Sequence, residues 1–183
     1  MREDFAFPLS EFYARTSLAL PRMEVIPGDA IPEPYRTLLV HERDMTSTLE
    51  KFHGSDIYIK AVSSDGRDGE YFREVVLHRV SDDAPVEFGA NCVNLGVFTP
   101  EVRWMILQER VPLGRILRDH TIPHTIRVQG FFRVTPDRLI SRALKVVSEP
   151  VTLYGRQAVI FDSQQQLLSQ VIEILPPTQL PPA

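Results

Sequence analysis

The chain has a single cysteine, Cys92, among 183 residues, so no disulfide can form within it. Cys/His pairs at zinc-finger spacing are also missing, and Cys92 is expected to be a buried, inert thiol. No window approaches the ~18 consecutive apolar residues that a membrane-spanning helix needs. The opening residues, MREDFAFPLSEF, place acids at positions 3 and 4 and lack the basic, apolar and small-residue order of a secretory signal. A cytoplasmic location is therefore expected. Basic charge is not in excess: the formal net charge is −4 and the pI about 5.7. That argues against a general nucleic-acid binder, which presents a basic face. There is no internal repeat, and only the proline-rich end is of low complexity.

What is present suits a single globular domain over residues 1–183: 43% of residues are hydrophobic and 24% charged. Pro8, Pro21, Pro27, Pro32 and Pro34 predict an irregular N-terminal wrap over residues 1–34, with room for short helical turns near SEFYARTSLAL. PYRTLLVHERDMTSTLEKFHG reads as two short helices meeting at Asp44, which caps the second, with Met45 its first residue and Gly54 its terminator. Strands are expected at 57–63, 70–80 and 86–95, separated by the turn-rich SDGRDG and SDDAP. TPEVRWMILQER opens a helix with a Thr cap followed by Pro and Glu, and a second helix starts at Pro112. HTIRVQGFFRVT predicts another strand, Pro136 another helix, and VTLYGRQAVIFD with LLSQVIEILP a closing hairpin. Residues 178–183 read as a flexible tail. The sum is an α+β domain with a mostly antiparallel sheet and helices on one face.

Three features resist a purely structural reading. Strand alternation puts Glu173 on one face with Val171 and Leu175, so a carboxyl sits among apolar residues, either at a sheet margin where it reaches water or in a pocket. It also puts Arg73 beside Tyr71, Val75 and Leu77; its partner is either Glu173, in a buried ion pair, or an acid on a ligand. The helix starts after Asp44 and at Pro112-Leu113-Gly114 expose first-turn N–H groups suited to an anion or oxygen. Arg110, Arg115, Arg118, Arg127, Arg133, Arg138 and Arg142 form a basic stretch, either a solvated face or part of a site for an acidic small molecule. His120 and His124 are expected on the surface or in loops.

LLVHERDMTSTLEKF, REVVL, VPLGRIL, and YGRQAVIF followed by VIEILP, in that order over roughly residues 36–177, resemble the chorismate pyruvate-lyase (4-hydroxybenzoate synthase) family. The segment between PLG and the acidic strand is long, as in the family's longer branch. The resemblance implies a sheet of about six antiparallel strands with an enclosed ligand cavity and a cofactor-independent carbon–oxygen lyase without metal. Such an enzyme eliminates pyruvate from chorismate to give 4-hydroxybenzoate for ubiquinone or secondary-metabolite biosynthesis. By the same resemblance Arg73 and the N–H of Met45 hold the ring carboxylate, and Glu173 and the N–H of Leu113 meet the oxygen at the other end. Arg156 supports substrate binding, and Glu173 and Arg73 carry catalysis. Two alternatives remain: a lyase-fold enzyme with another substrate, and a non-catalytic module binding a small molecule such as an aromatic acid. Effector domains of that second kind normally follow a basic winged-helix segment, for which the proline-rich start is expected to leave no room.

Overall fold

The computed structural model describes residues 4–146 and 151–178. Seven strands, β1 (Arg22–Ile26), β2 (Ile57–Arg67), β3 (Glu70–Arg79), β4 (Pro85–Asn94), β5 (His124–Thr135), β6 (Leu153–Asp162) and β7 (Leu167–Leu175), form one antiparallel sheet. Their order is β1-β5-β6-β7-β4-β3-β2. The three-strand meander β2-β3-β4 joins the β6-β7 hairpin through a β4–β7 pairing, which brings Arg73 and Glu173 onto one sheet face.

Helices cover both faces of the sheet. On the cavity side lie α2 (Tyr35–Leu39), α3 (Met45–His53), α4 (Pro100–Leu107) and α5 (Leu113–Asp119), which bury Leu38, Leu49, Ile106 and Ile116 against it. On the other side, α1 (Leu9–Thr16) and α6 (Arg138–Ala143) set Leu9, Phe12 and Ile140 on Phe72, Phe88 and Ile172. Cys92 is buried in that same layer.

The helix signals act as read. Asp44 accepts from the Ser47 N–H at 2.8 Å and Gly54 ends α3 in the left-handed region at φ 59°. Thr99 caps α4, with Pro100 in its first turn. At α6 the cap is Asp137, accepting from Ile140 N–H at 2.9 Å, so the helix starts after Asp137 rather than at Pro136. The segment expected as an irregular wrap with short helical turns holds such a helix, α1, and departs from the expectation in a strand. Pro8 sits at the N-cap of α1, where a proline is tolerated, and Arg22–Ile26 pair with β5 as a seventh, edge strand. Apart from Thr178, whose N–H donates to the Tyr35 hydroxyl, the tail 178–183 lies outside the described residues.

Candidate functional site

The cavity floor is built from strand rows. Arg73, Asn91, Val171 and Ala158 form one row across β3, β4, β7 and β6; Val75, Gly89, Glu173 and Arg156 form the next; Leu77 and Glu87 begin a third. The roof is the start of α3 (Asp44, Met45, Thr46) and of α5 (Pro112, Leu113, Gly114). The two helix starts touch because residue 114 is glycine. A Cβ there would stand 3.0 Å from Asp44 Oδ1 and 3.1 Å from Thr46 Oγ1. The enclosed space is about 50 Å³.

Met45, Arg73, Leu113, Arg156 and Glu173 all line this one cavity. Arg73 is 1% exposed. Its Nη1 donates weakly to the Ile106 carbonyl at 3.4 Å, its Nε has no partner, and it forms no ion pair among the described residues. Burial lowers its pKa, and Tyr71 and Glu109 oppose that shift. An arginine stays charged even so. Tyr71 donates to Glu109, and burial followed by that bond pushes the phenol up to about 12.

Glu173 does not pair with Arg73. Its Oε2 accepts from Arg156 Nε at 2.5 Å across the β6–β7 register. The remaining Arg156 donors reach the carbonyls of Leu39 (3.3 Å), His41 (2.8 Å) and Arg43 (3.2 Å). Arg156 therefore ties the loop before α3 to the sheet. His41 packs against it, and burial first, then Arg156 and Arg43, depress the imidazole to about 4.

Sequence reasoning missed Glu87 and Asn91. In VEFGANCVNL the alternation places Glu87, Gly89 and Asn91 on the face opposite Val86, Phe88 and Ala90, a pattern ordinarily read as a polar, solvated side. Here that side faces the cavity, and Glu87 is only 4% exposed. Burial and the nearby Glu173 push its carboxyl well above the ordinary range, with Arg156 opposing.

The seven arginines between 110 and 142 do not converge, and none lines the cavity. Arg115 pairs with Glu50 and Arg133 with Glu24. His120 follows α5 and His124 opens β5, both outside the cavity. No group of three His, Cys, Asp or Glu among the described residues could hold a metal ion. No described helix is long and apolar enough to cross a membrane.

No family model and no curated protein matches the chain. Solved structures do. The effector domain of PhnF from Mycobacterium smegmatis is 13% identical, with a TM-score of 0.55, over 77% of this chain and 96% of that one. The chain shares the fold of that effector domain. The longer PhnF structure, also 13% identical, gives a TM-score of 0.54 over 75% of this chain, which spans only 65% of that one. A GntR-family transcriptional regulator from Bacillus cereus is similar at 13% identity and a TM-score of 0.47, over 70% and 99% of the two chains.

The lyase expectation is corrected, and with it the assignment as an enzyme, the chorismate and pyruvate chemistry and the biosynthetic pathway. The fold that the resemblance implied is matched by an effector domain rather than a lyase. The cavity agrees with this correction. Glu173, the expected acid, is engaged by Arg156.

Proposed function

We propose that this chain is a non-catalytic domain that binds a small organic anion in the cavity over β3, β4, β7 and β6. The observation that carries the reading is Arg73, a guanidinium buried to 1% exposure whose Nε has no partner and which has no carboxylate paired to it among the described residues. A cation removed from water in this way is costly unless an anion compensates it. A ligand carboxylate meets the planar fork of donors, and the first turn of α3 adds its N–H groups at the roof. The effector-domain fold supports the reading, because small-molecule recognition in a cavity of this kind needs no reacting group. A free space of about 50 Å³ is below the roughly 150 Å³ that holds a benzene, so even a small acid enters only as the α3 and α5 starts part.

Calorimetry with 4-oxopentanoate and benzoate, each against its uncharged amide, tests this. The acids should bind and the amides should not. Arg73→Gln should weaken acid binding about ten- to 150-fold, the worth of a charge-assisted hydrogen bond. No binding by either acid, equal binding by acid and amide, or unchanged affinity in the variant overturns the reading.

A further inference from the structure

Two carboxyls, Glu87 and Glu173, share the cavity face with one adjacent cation, Arg156. That cation is committed: Nε donates to Glu173, and the other donors go to main-chain carbonyls of the loop before α3. Glu87 forms no ion pair among the described residues, and its buried Oε2 has no hydrogen-bond partner. Its other oxygen lies over Gly89, 3.1 Å from where a Cβ on that glycine would stand, and Asn91 Nδ2 approaches the same point to 3.5 Å. The missing side chain at position 89 thus leaves a gap that both polar groups border.

A buried carboxylate beside a second one, with no donor of its own, is unfavourable; a proton on Glu87 relieves both the burial and the repulsion. The other charged or titratable groups around it are few. Arg73 lies beyond Asn91 on β3, Asp44 caps α3 at the roof, and His41 lies behind Arg156. The α5 side of the roof offers Pro112, Leu113 and Gly114, none of which titrates in its side chain.

We propose that Glu87 is a specificity-determining residue of the cavity: as a neutral acid it donates a hydrogen bond to an acceptor oxygen on a ligand whose carboxylate lies on Arg73. The proposal rests on the anion-binding reading above and narrows its ligand class. Arg73 and the gap over Gly89 lie one row apart, ~7 Å along the strands. The cavity therefore selects acids carrying a carbonyl-type oxygen several atoms from the carboxylate, as in a keto acid. A hydrocarbon group of the same shape leaves the Glu87 proton without an acceptor and is rejected. Binding weakens as pH rises and Glu87 ionises.

The test compares 4-oxopentanoate with its isostere 4-methylpentanoate on the full chain by calorimetry. The wild type should prefer the keto acid by about tenfold. Glu87→Gln, which keeps a neutral donor, should preserve the preference and remove its pH dependence; Glu87→Leu should abolish it, weakening 4-oxopentanoate binding and strengthening that of 4-methylpentanoate. Carbon NMR of protein labelled at the glutamate carboxyl carbons reads Glu87 without any ligand, its signal assigned by its loss in Glu87→Gln. A neutral acid at pH 7 is expected, and an ionised one overturns the proposal. If neither acid binds the wild type, the anion-binding reading falls and this role with it. If both bind equally, or Glu87→Leu keeps the preference, the role of Glu87 alone is refuted.

Discussion

Replacing Arg156 with methionine removes the one cation that holds Glu173, while keeping much of the side chain's apolar volume. The arginine is 1% exposed, so water cannot substitute freely for it. Stranding the partner of a buried ion pair costs about 3–5 kcal/mol. A second route to the magnitude agrees. At pH 7 the stranded carboxyl can escape by taking up a proton. For an ordinary glutamate with a pKa near 4.3 that costs about 2.7 pH units at 1.36 kcal/mol each, roughly 3.7 kcal/mol. The carbonyls of Leu39, His41 and Arg43 lose this donor as well, but those of His41 and Arg43 regain water and the buried Leu39 carbonyl keeps the His41 N–H at 3.0 Å, so they add about 1 kcal/mol. The expected loss is therefore about 4–5 kcal/mol at pH 7, a large part of the stability of about 5–15 kcal/mol typical of a domain. The proton-uptake part has a definite sign. In the variant the folded state holds a proton that the unfolded chain releases, so its stability falls as pH rises above the ordinary carboxylate range. At pH 5 the same uptake costs only about 1 kcal/mol. Urea unfolding followed by circular dichroism should show a destabilisation of about 4–5 kcal/mol at pH 7 that shrinks to about 2 kcal/mol at pH 5. The double variant Arg156→Met, Glu173→Gln should recover most of the loss at pH 7. A single variant within 1 kcal/mol of the wild type, or a double variant no better than the single, would refute the view that this pair is held together by burial.

Gly89→Ala places a methyl 3.1 Å from Glu87 Oε1 and 3.4 Å from Val75 Cγ2, so Glu87 must yield by a few tenths of an ångström. Stability should change by less than about 1 kcal/mol while affinity for a small acid falls about tenfold, read by urea midpoint and calorimetry. His41 and His53 are depressed to about 4, by burial first in both and then by neighbouring arginines. A base with a depressed folded pKa is neutral when folded and charged when unfolded, so its contribution to stability is lost as pH falls from 6.5 toward 4. Imidazole NMR titration should place both rings near 4; midpoints near 6.5 would show that burial does not control them.

Much of the local architecture was legible because capping and alternation are short-range. Asp44 with Gly54, and Thr99 with Pro100, bound α3 and α4, and period-two alternation put Arg73 with Val75, and Glu173 with Val171, on the cavity face. The N-terminal segment was not legible in the same way. Arg22–Ile26 is mostly exposed and gains its strand conformation by pairing with β5, more than a hundred residues away.

The site divides along the same line. The sequence by itself determined that a guanidinium and a carboxyl would lie among apolar neighbours, since side chains on one strand must alternate. Which groups would meet was decided by the order β6-β7-β4-β3 and the registers within it. Those registers joined Glu173 to Arg156, left Arg73 without an ion pair among the described residues, and laid Glu87 over a glycine. Alternation is a property of one strand's covalent geometry, whereas register comes from side-chain packing between strands distant in the chain, and only the folded sheet carries it.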